Sequence, residues 1–190
     1  MRRTAFGFGL ATVCLMLLYM PAWAADFCVD PGGGVTHTDL QSALTAAQSN
    51  SEDDTIKVVK GLYNGNFTYD TDKGDNLVLE GGYNSGCGCR EVDPESTILQ
   101  GTGSGRVLYI QDTKGGSFTV DGFTLTNGGG TQVYYGGGLY ARSLTTSGPA
   151  AGDITIQNNI FEKNSALTTG GGIYAESYTG SNPYDAGNIT

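Results

Sequence analysis

The sequence predicts an all-β fold, a parallel β-helix (β-solenoid) with one N-terminal capping α-helix. Three echoes carry that reading. Residues 136–141 read Gly-Gly-Gly-Leu-Tyr-Ala, and residues 170–175 read Gly-Gly-Gly-Ile-Tyr-Ala. The run 118–128, Phe-Thr-Val-Asp-Gly-Phe-Thr-Leu-Thr-Asn-Gly, is answered by 154–164, Ile-Thr-Ile-Gln-Asn-Asn-Ile-Phe-Glu-Lys-Asn. Gly-Asp-Ile-Thr at 152–155 returns as Gly-Asn-Ile-Thr at 187–190. The offsets are 34, 36 and 35 residues, so a whole unit is copied. Short, alternately apolar strands parted by Gly and Asn at a fixed period mark a stacked repeat.

Composition agrees. The chain has 190 residues, 31 of them Gly, and only 15% are charged. Helical bundles and acidic disordered segments usually carry more charge than this. Glycine instead suits strands joined by tight turns, because it reaches positive φ without steric cost.

Taken in order, residues 1–24 read as a secretory signal peptide. Arg2 and Arg3 are the basic start, Ala5 to Met20 the apolar run, and Ala22-Trp23-Ala24 the small-residue cleavage site. The apolar run is short for a membrane span. Removing this leader leaves eight Lys/Arg against 19 Asp/Glu, a formal charge of −11, and no expected span in the mature chain. Nucleic acid is therefore excluded as a partner, since phosphate binding needs a basic footprint. Export also permits disulfides. Cys28, Cys87 and Cys89 remain after cleavage. Cys28 is expected to pair with Cys87 or Cys89, leaving one thiol over.

Residues 25–54 read as an N-terminal cap, with a short lead-in strand, a Gly-rich turn and a helix over about 39–49. Thr38 with Gln41 suggests a capping box. Leu40, Ala43, Leu44 and Ala47 share one helical face, and Asn50 with Ser51 stops the helix. So narrow an apolar stripe must lie on something larger, and the bare end of a solenoid is the natural partner.

Residues 55–190 read as solenoid coils. Strands start at Ile56, Leu77, Ile98, Phe118 and Ile154, and near Ile189, at spacings of 21, 21, 20, 36 and about 35. A three-sided coil needs roughly 20–25 residues, which the early spacings meet. The later coils are expected to carry extra residues in Ser143–Gly152, with Pro149, and in Ser177–Gly187, with Pro183. Alternation sends Leu139, Ala141, Ile154 and Ile156 inward and Tyr140 outward, with Phe161 filling the lumen. Asn164 is expected in the left-handed region.

Gly-Gly-Gly-Ile-Tyr at 170–174 with Phe-Glu-Lys-Asn at 161–164 resembles the paired GGA[ILV] and FxxN motifs of the polymorphic outer-membrane protein repeats. Gly replaces that family's Ala at 138 and 172. Val120–Gly128, Gly81-Gly-Tyr-Asn84 with Arg90 and Asp93-Pro94, and Ile98–Gly101 are similar to secreted right-handed β-helix proteins of the pectin-lyase-like superfamily. The resemblance spans most of 27–190. It implies a right-handed helix and a place outside the cell or on the outer-membrane surface. It says little about activity, because the fold hosts lyases, hydrolases, adhesins and stalks alike.

Lyases on this fold use a calcium cluster of acids beside an Arg or Lys base. Asp112, Asp121, Arg106, Arg142 and Lys163 form no same-face acidic pair at successive equivalent positions in this reading, and Gln157 replaces Asp121 one coil on. Surface charge is preferred, and no catalytic or metal residue is assigned. Asp70-Thr-Asp72-Lys-Gly-Asp75-Asn76 departs from the EF-hand order and reads as a polar turn, with weak Ca2+ binding the one cofactor it admits. His37 is the only histidine, so His-based catalysis has no support. Tyr140 and Tyr174 share an outward register, where they either stack on sugar rings or on one another. The chain stops at Thr190 as a new coil begins, which suggests truncation or end-to-end self-association.

The function expected is a non-catalytic, exported or cell-envelope scaffold. It would serve adhesion or the binding of an extracellular polysaccharide or surface protein. The alternative is a polysaccharide lyase or hydrolase.

Overall fold

The computed structural model describes residues 24–146, 150–180 and 186–190; the leader up to Trp23, Pro149 and Pro183 lie outside them. The chain is mostly β, with one helix and three parallel sheets among the described residues, consistent with an all-β parallel solenoid.

The first strand, β1 (Ala25–Val29), is followed by helix α1 (Leu40–Ser49). Then come β2 (Asp54–Val59), β3 (Gly61–Asn64), β4 (Phe67–Thr71), β5 (Leu77–Tyr83), β6 (Thr97–Gln100) and β7 (Leu108–Asp112). The series ends with β8 (Phe118–Asp121), β9 (Thr124–Thr126), β10 (Leu139–Thr145), β11 (Ile154–Gln157), β12 (Ile160–Glu162) and β13 (Ile173–Thr179). The strands visit three sheets in rotation: β1-β2-β5-β8-β11, β3-β6-β9-β12 and β4-β7-β10-β13. Each strand therefore pairs with strands one full rotation away in sequence.

This rotation corrects the expected spacing. Ile98 does not follow Leu77 on one sheet; it lies on β6, in register with Leu62 and Thr124. Leu77 pairs instead with Phe118, 41 residues on, after Asp54 to Leu77 at 23 and before Phe118 to Ile154 at 36. Added length lies between the first and second strands of the β5-β6-β7 rotation, at 84–96, and otherwise largely between the second and third strands. That linker is two residues at 65–66, seven at 101–107, twelve at 127–138 and ten at 163–172. Ser143 and Ser177, expected in protruding loops, are inside β10 and β13.

Alternation holds the core. Ile56, Leu79 and Val120 are buried in one column, and Leu99 and Leu125 in another. Leu108 and Leu139 make a third. Burying each such side chain contributes about 1.5–3 kcal/mol, which outweighs any single surface pair. Ile154 is fully buried, while Ile156 and Phe161 are half-buried against the core.

Glycine is required where copies press closest. Gly136 and Gly170 open the two triplets in the left-handed region, at φ 61° and 66°. A Cβ on Gly138 would lie 2.6 Å from the carbonyl oxygen of Gly172, so alanine does not fit there. Asn164 does not take the left-handed turn; Lys163 does, at φ 54°. Asn164 instead braces the previous rotation, its Oδ1 accepting from Gly128 N at 2.7 Å and its Nδ2 donating to Leu125 O at 2.8 Å.

Helix α1 lies against β4, β1 and β2, burying Leu40, Ala43, Leu44 and Ala47 as expected. Its N-cap is Asp39, whose carboxylate accepts from Ser42 N at 2.8 Å, and not Thr38. Gln41 is thereby free to pair with the edge of β4. Its Nε2 donates to Thr68 O at 3.0 Å, and its Oε1 accepts from Thr68 N at 2.9 Å. Gln48 donates to Asp70 O at 2.7 Å. The backbone groups that a terminal strand would leave open are thus occupied. Below the helix, β1 is stapled by a Cys28–Cys87 disulfide with Cα atoms 5.8 Å apart, and Cys89 is free and exposed. Asp30 adds bonds from Ser85 Oγ at 2.7 Å and Gly86 N at 2.9 Å.

Candidate functional site

Tyr140 and Tyr174 are brought together on the outer face of the β4-β7-β10-β13 sheet, with centroids 5.2 Å apart and planes 15° from parallel. A third rung, Tyr109, stacks on Tyr140 at 5.0 Å and 7°. Tyr109 was legible, because Leu108-Tyr109-Ile110 repeats the Leu-Tyr-Ala word without its glycines. Tyr135, from the twelve-residue linker, leans on Tyr174 at 5.0 Å and 40°. Arg106 sits 4.7 Å from the Tyr140 centroid and 5.6 Å from that of Tyr109, its Nε donating to Tyr135 O at 2.9 Å. Burial, above all, pushes the Tyr109 and Tyr174 phenols up.

The ladder is stacked on itself. Strands about 4.8 Å apart leave no gap for a sugar ring between Tyr109, Tyr140 and Tyr174. A ligand meets ring edges and hydroxyls here, not both faces of a ring. Beside the ladder, the linkers of two rotations pair as a ledge, with Leu167 N to Val133 O at 2.8 Å and Thr168 N to Tyr134 O at 3.1 Å. The ledge exposes Tyr134, Tyr135 and Leu167, by 52%, 41% and 55%. Arg142 pairs with Glu176 at 2.8 Å next to the ladder.

The acidic pair that the sequence reading denied exists on the opposite column. Glu80 and Asp121 are in register on β5 and β8, and Arg90 from the turn after β5 reaches both, at 3.0 and 2.8 Å. It was missed because Leu77 was matched to Ile98, so Glu80 never met Asp121. Every oxygen of the pair is occupied. Glu80 also accepts from the Tyr83 hydroxyl at 2.6 Å, and Asp121 from Asn158 at 2.8 Å and Gln157 at 3.2 Å. Burial pushes the Asp121 carboxyl up, but bonds from Asn158, Arg90 and Gln157 and the Arg90 charge outweigh it and hold it below its usual range. The Asp121 side chain is only 6% exposed. Each oxygen is thus committed to at least one donor, and a cation or substrate would have to displace Arg90 or a neutral donor to gain the full carboxylate.

The other charged residues noted in sequence lie apart. Asp112 is fully buried, accepting from Gly74 N at 2.9 Å, Lys114 N at 2.5 Å and Gly116 N at 3.2 Å. Lys163 pairs with Glu162 at 3.4 Å, and His37 Nδ1 lies 3.0 Å from Ser42 Oγ. Among the described residues no group of three His, Cys, Asp or Glu is arranged to hold a metal ion, and no helix is long and apolar enough to cross a membrane.

On the third sheet, Leu62, Ile98, Gln100, Thr124, Thr126 and Glu162 line a shallow cleft of about 390 Å³. Comparison with known protein families, curated proteins and solved structures finds no match for this chain.

Proposed function

We propose that this chain is an exported, right-handed parallel β-helix that acts as a non-catalytic scaffold for adhesion or for binding carbohydrate or protein at the cell surface. The rotation of strands through three parallel sheets supports the helix, and the preference of parallel crossovers supports its hand. The leader-like start, the disulfide and the resemblance to outer-membrane repeats support export.

The observation that carries the non-catalytic reading is the closed state of Glu80, Arg90 and Asp121. Hydrolytic or eliminative chemistry needs a base or a calcium-binding carboxylate open to substrate, whereas here both carboxylates are paired with Arg90 and the Asp121 side chain is only 6% exposed. The tyrosine ladder and its ledge offer a ligand aromatic edges, hydroxyls and the exposed faces of Tyr134 and Tyr135. Retention on immobilised polysaccharides tests this, and the Tyr140→Ala/Tyr174→Ala double variant should elute earlier than the parent. Equal retention removes the ladder from the site.

The lyase or hydrolase reading is favoured by one observation, an in-register acidic pair beside an arginine. Incubation with a polyuronate panel and calcium decides between the two. Unsaturated products absorbing in the ultraviolet would establish a lyase, new reducing ends without them a hydrolase, and either would end the scaffold reading.

A further inference from the structure

Among the described residues two carboxylate oxygens are buried without a donor, Asp54 Oδ2 and Asp75 Oδ2. Asp54 is 2% exposed and opens β2. Its backbone N donates to Asn76 O at 2.9 Å, which lays it against the segment carrying Asp75. Its Oδ1 accepts from Asn50 Nδ2 at 2.8 Å, and Asn50 is the C-cap of α1. Lys73 Nζ donates to the Asn50 carbonyl from the other side. The end of the helix is therefore tied to the sheet through Asn50, Asp54 and Lys73.

The surroundings are acidic. Glu52 and Asp53 precede β2, Lys73 and Asp75 lie on the turn before β5, Asp112 ends β7, and Tyr69 faces in from β4. Asp53 is occupied by Asn76, at 2.8 and 3.1 Å, and Asp112 by three backbone amides. Neither can supply Asp54 with a donor. A buried charge lacking a partner is far costlier than a neutral carboxyl that donates its proton.

We infer that Asp54 is a protonation latch: neutral, it stays buried beside the acidic turn that carries Asp75 and the helix end stays on the sheet; ionised, with its Oδ2 still lacking a donor, it loosens α1 from the edge of β4. Burial, helped by the charges of Asp75, Glu52 and Asp53 and opposed by the Asn50 bond, raises the Asp54 carboxyl to about 6. The folded value lies above the unfolded one, so the stabilisation is complete below the unfolded carboxyl range. It is lost as pH rises through about 6.

Side-chain carboxyl 13C titration of the whole chain reads Asp54 directly, and its midpoint should fall near 6. Native-state hydrogen exchange at Thr68 N–H, held by Gln41, reads the latch. Its opening constant should rise about hundredfold from pH 4 to pH 8, after correction for intrinsic exchange, and should be flat in Asp54→Asn. Should that variant not fold, Asp75→Asn must lower the Asp54 midpoint. A midpoint near 4, an unchanged pH slope in Asp54→Asn, or an unmoved midpoint in Asp75→Asn overturns the latch. So does closure of the wild type at pH 8 by millimolar calcium chloride, which would make the missing partner a cation.

Discussion

Replacing Arg90 with methionine separates a structural cluster from a catalytic one. Arg90 fills three roles: Nε donates to Gly81 O at 2.9 Å, one terminal nitrogen meets Glu80 at 3.0 Å, and the other meets Asp121 at 2.8 Å. Methionine keeps much of the packing over Tyr83 but leaves both carboxylates without their cation. Asp121 is nearly buried and Glu80 is 22% exposed in its side chain, so water recovers little of the loss. Breaking a buried pair from one side costs about 3–5 kcal/mol, whereas an exposed pair is worth about 0–1 kcal/mol. Urea unfolding at pH 7 should therefore show a lower midpoint at unchanged slope. Adding Asp121→Asn to Arg90→Met should regain part of the loss, because the uncompensated charge is then gone. The acid limb supplies a sign check. The folded Asp121 carboxyl is depressed, so its contribution is present above the unfolded carboxyl range and lost as pH falls, and it should shrink in Arg90→Met, which leaves the Asn158 and Gln157 bonds against burial. A loss below about 1 kcal/mol would refute the argument, since the pair would then behave as exposed.

Two further outcomes follow from the N-terminal segment. Cys28→Ser/Cys87→Ser removes a closure of 59 residues and should cost about 4 kcal/mol in thermal unfolding on a chain-entropy estimate, while Cys89→Ser should change stability by less than about 0.5 kcal/mol. Asp39→Ala should cost about 1 kcal/mol through loss of the N-cap, and Thr38→Ala far less; equal effects in urea unfolding would restore Thr38 as the cap.

Facing was legible in the sequence, while rotation was not. Tyr140, Leu139 and Ala141 take the faces that a period of two assigns, and the helix buries the four residues its period of 3.6 picks out. Those periods are local and survive any stacking. Which strands stack is a different matter, because all three sheets are written in the same alternating word. Ile98-Leu-Gln reads like Leu77-Val-Leu although the two lie on different sheets. Only turn length distinguishes a corner from a full rotation, and the 13 residues at 84–96 bring the Leu77-to-Ile98 interval to 21, close to the 23 of the shortest full rotation. The Arg90 cluster was hidden by that single miscount. The cysteine partner was open for another reason: Cys87 and Cys89 are two residues apart, and spacing does not tell which one lies beside Cys28.

The positions of the two outer columns argue for where recognition resides. The column Lys57, Glu80, Asp121 and Gln157 is consumed internally, each charge answered by a neighbouring side chain. The column Tyr109, Tyr140 and Tyr174 is likewise self-satisfied by stacking. Strand residues are held on both sides by register, so changing one disturbs its neighbours above and below. The linkers between the second and third strands are under no such constraint. They lengthen from two residues to twelve while the third strand keeps its register, and their tips expose Tyr134, Tyr135 and Leu167. Their backbones nevertheless pair from one rotation to the next, so the exposed side chains stand on a built ledge. A solenoid can rewrite such a ledge without repacking its core, which makes Tyr134 and Tyr135, more than the stacked rungs, the residues whose substitution should alter what is bound while leaving unfolding unchanged.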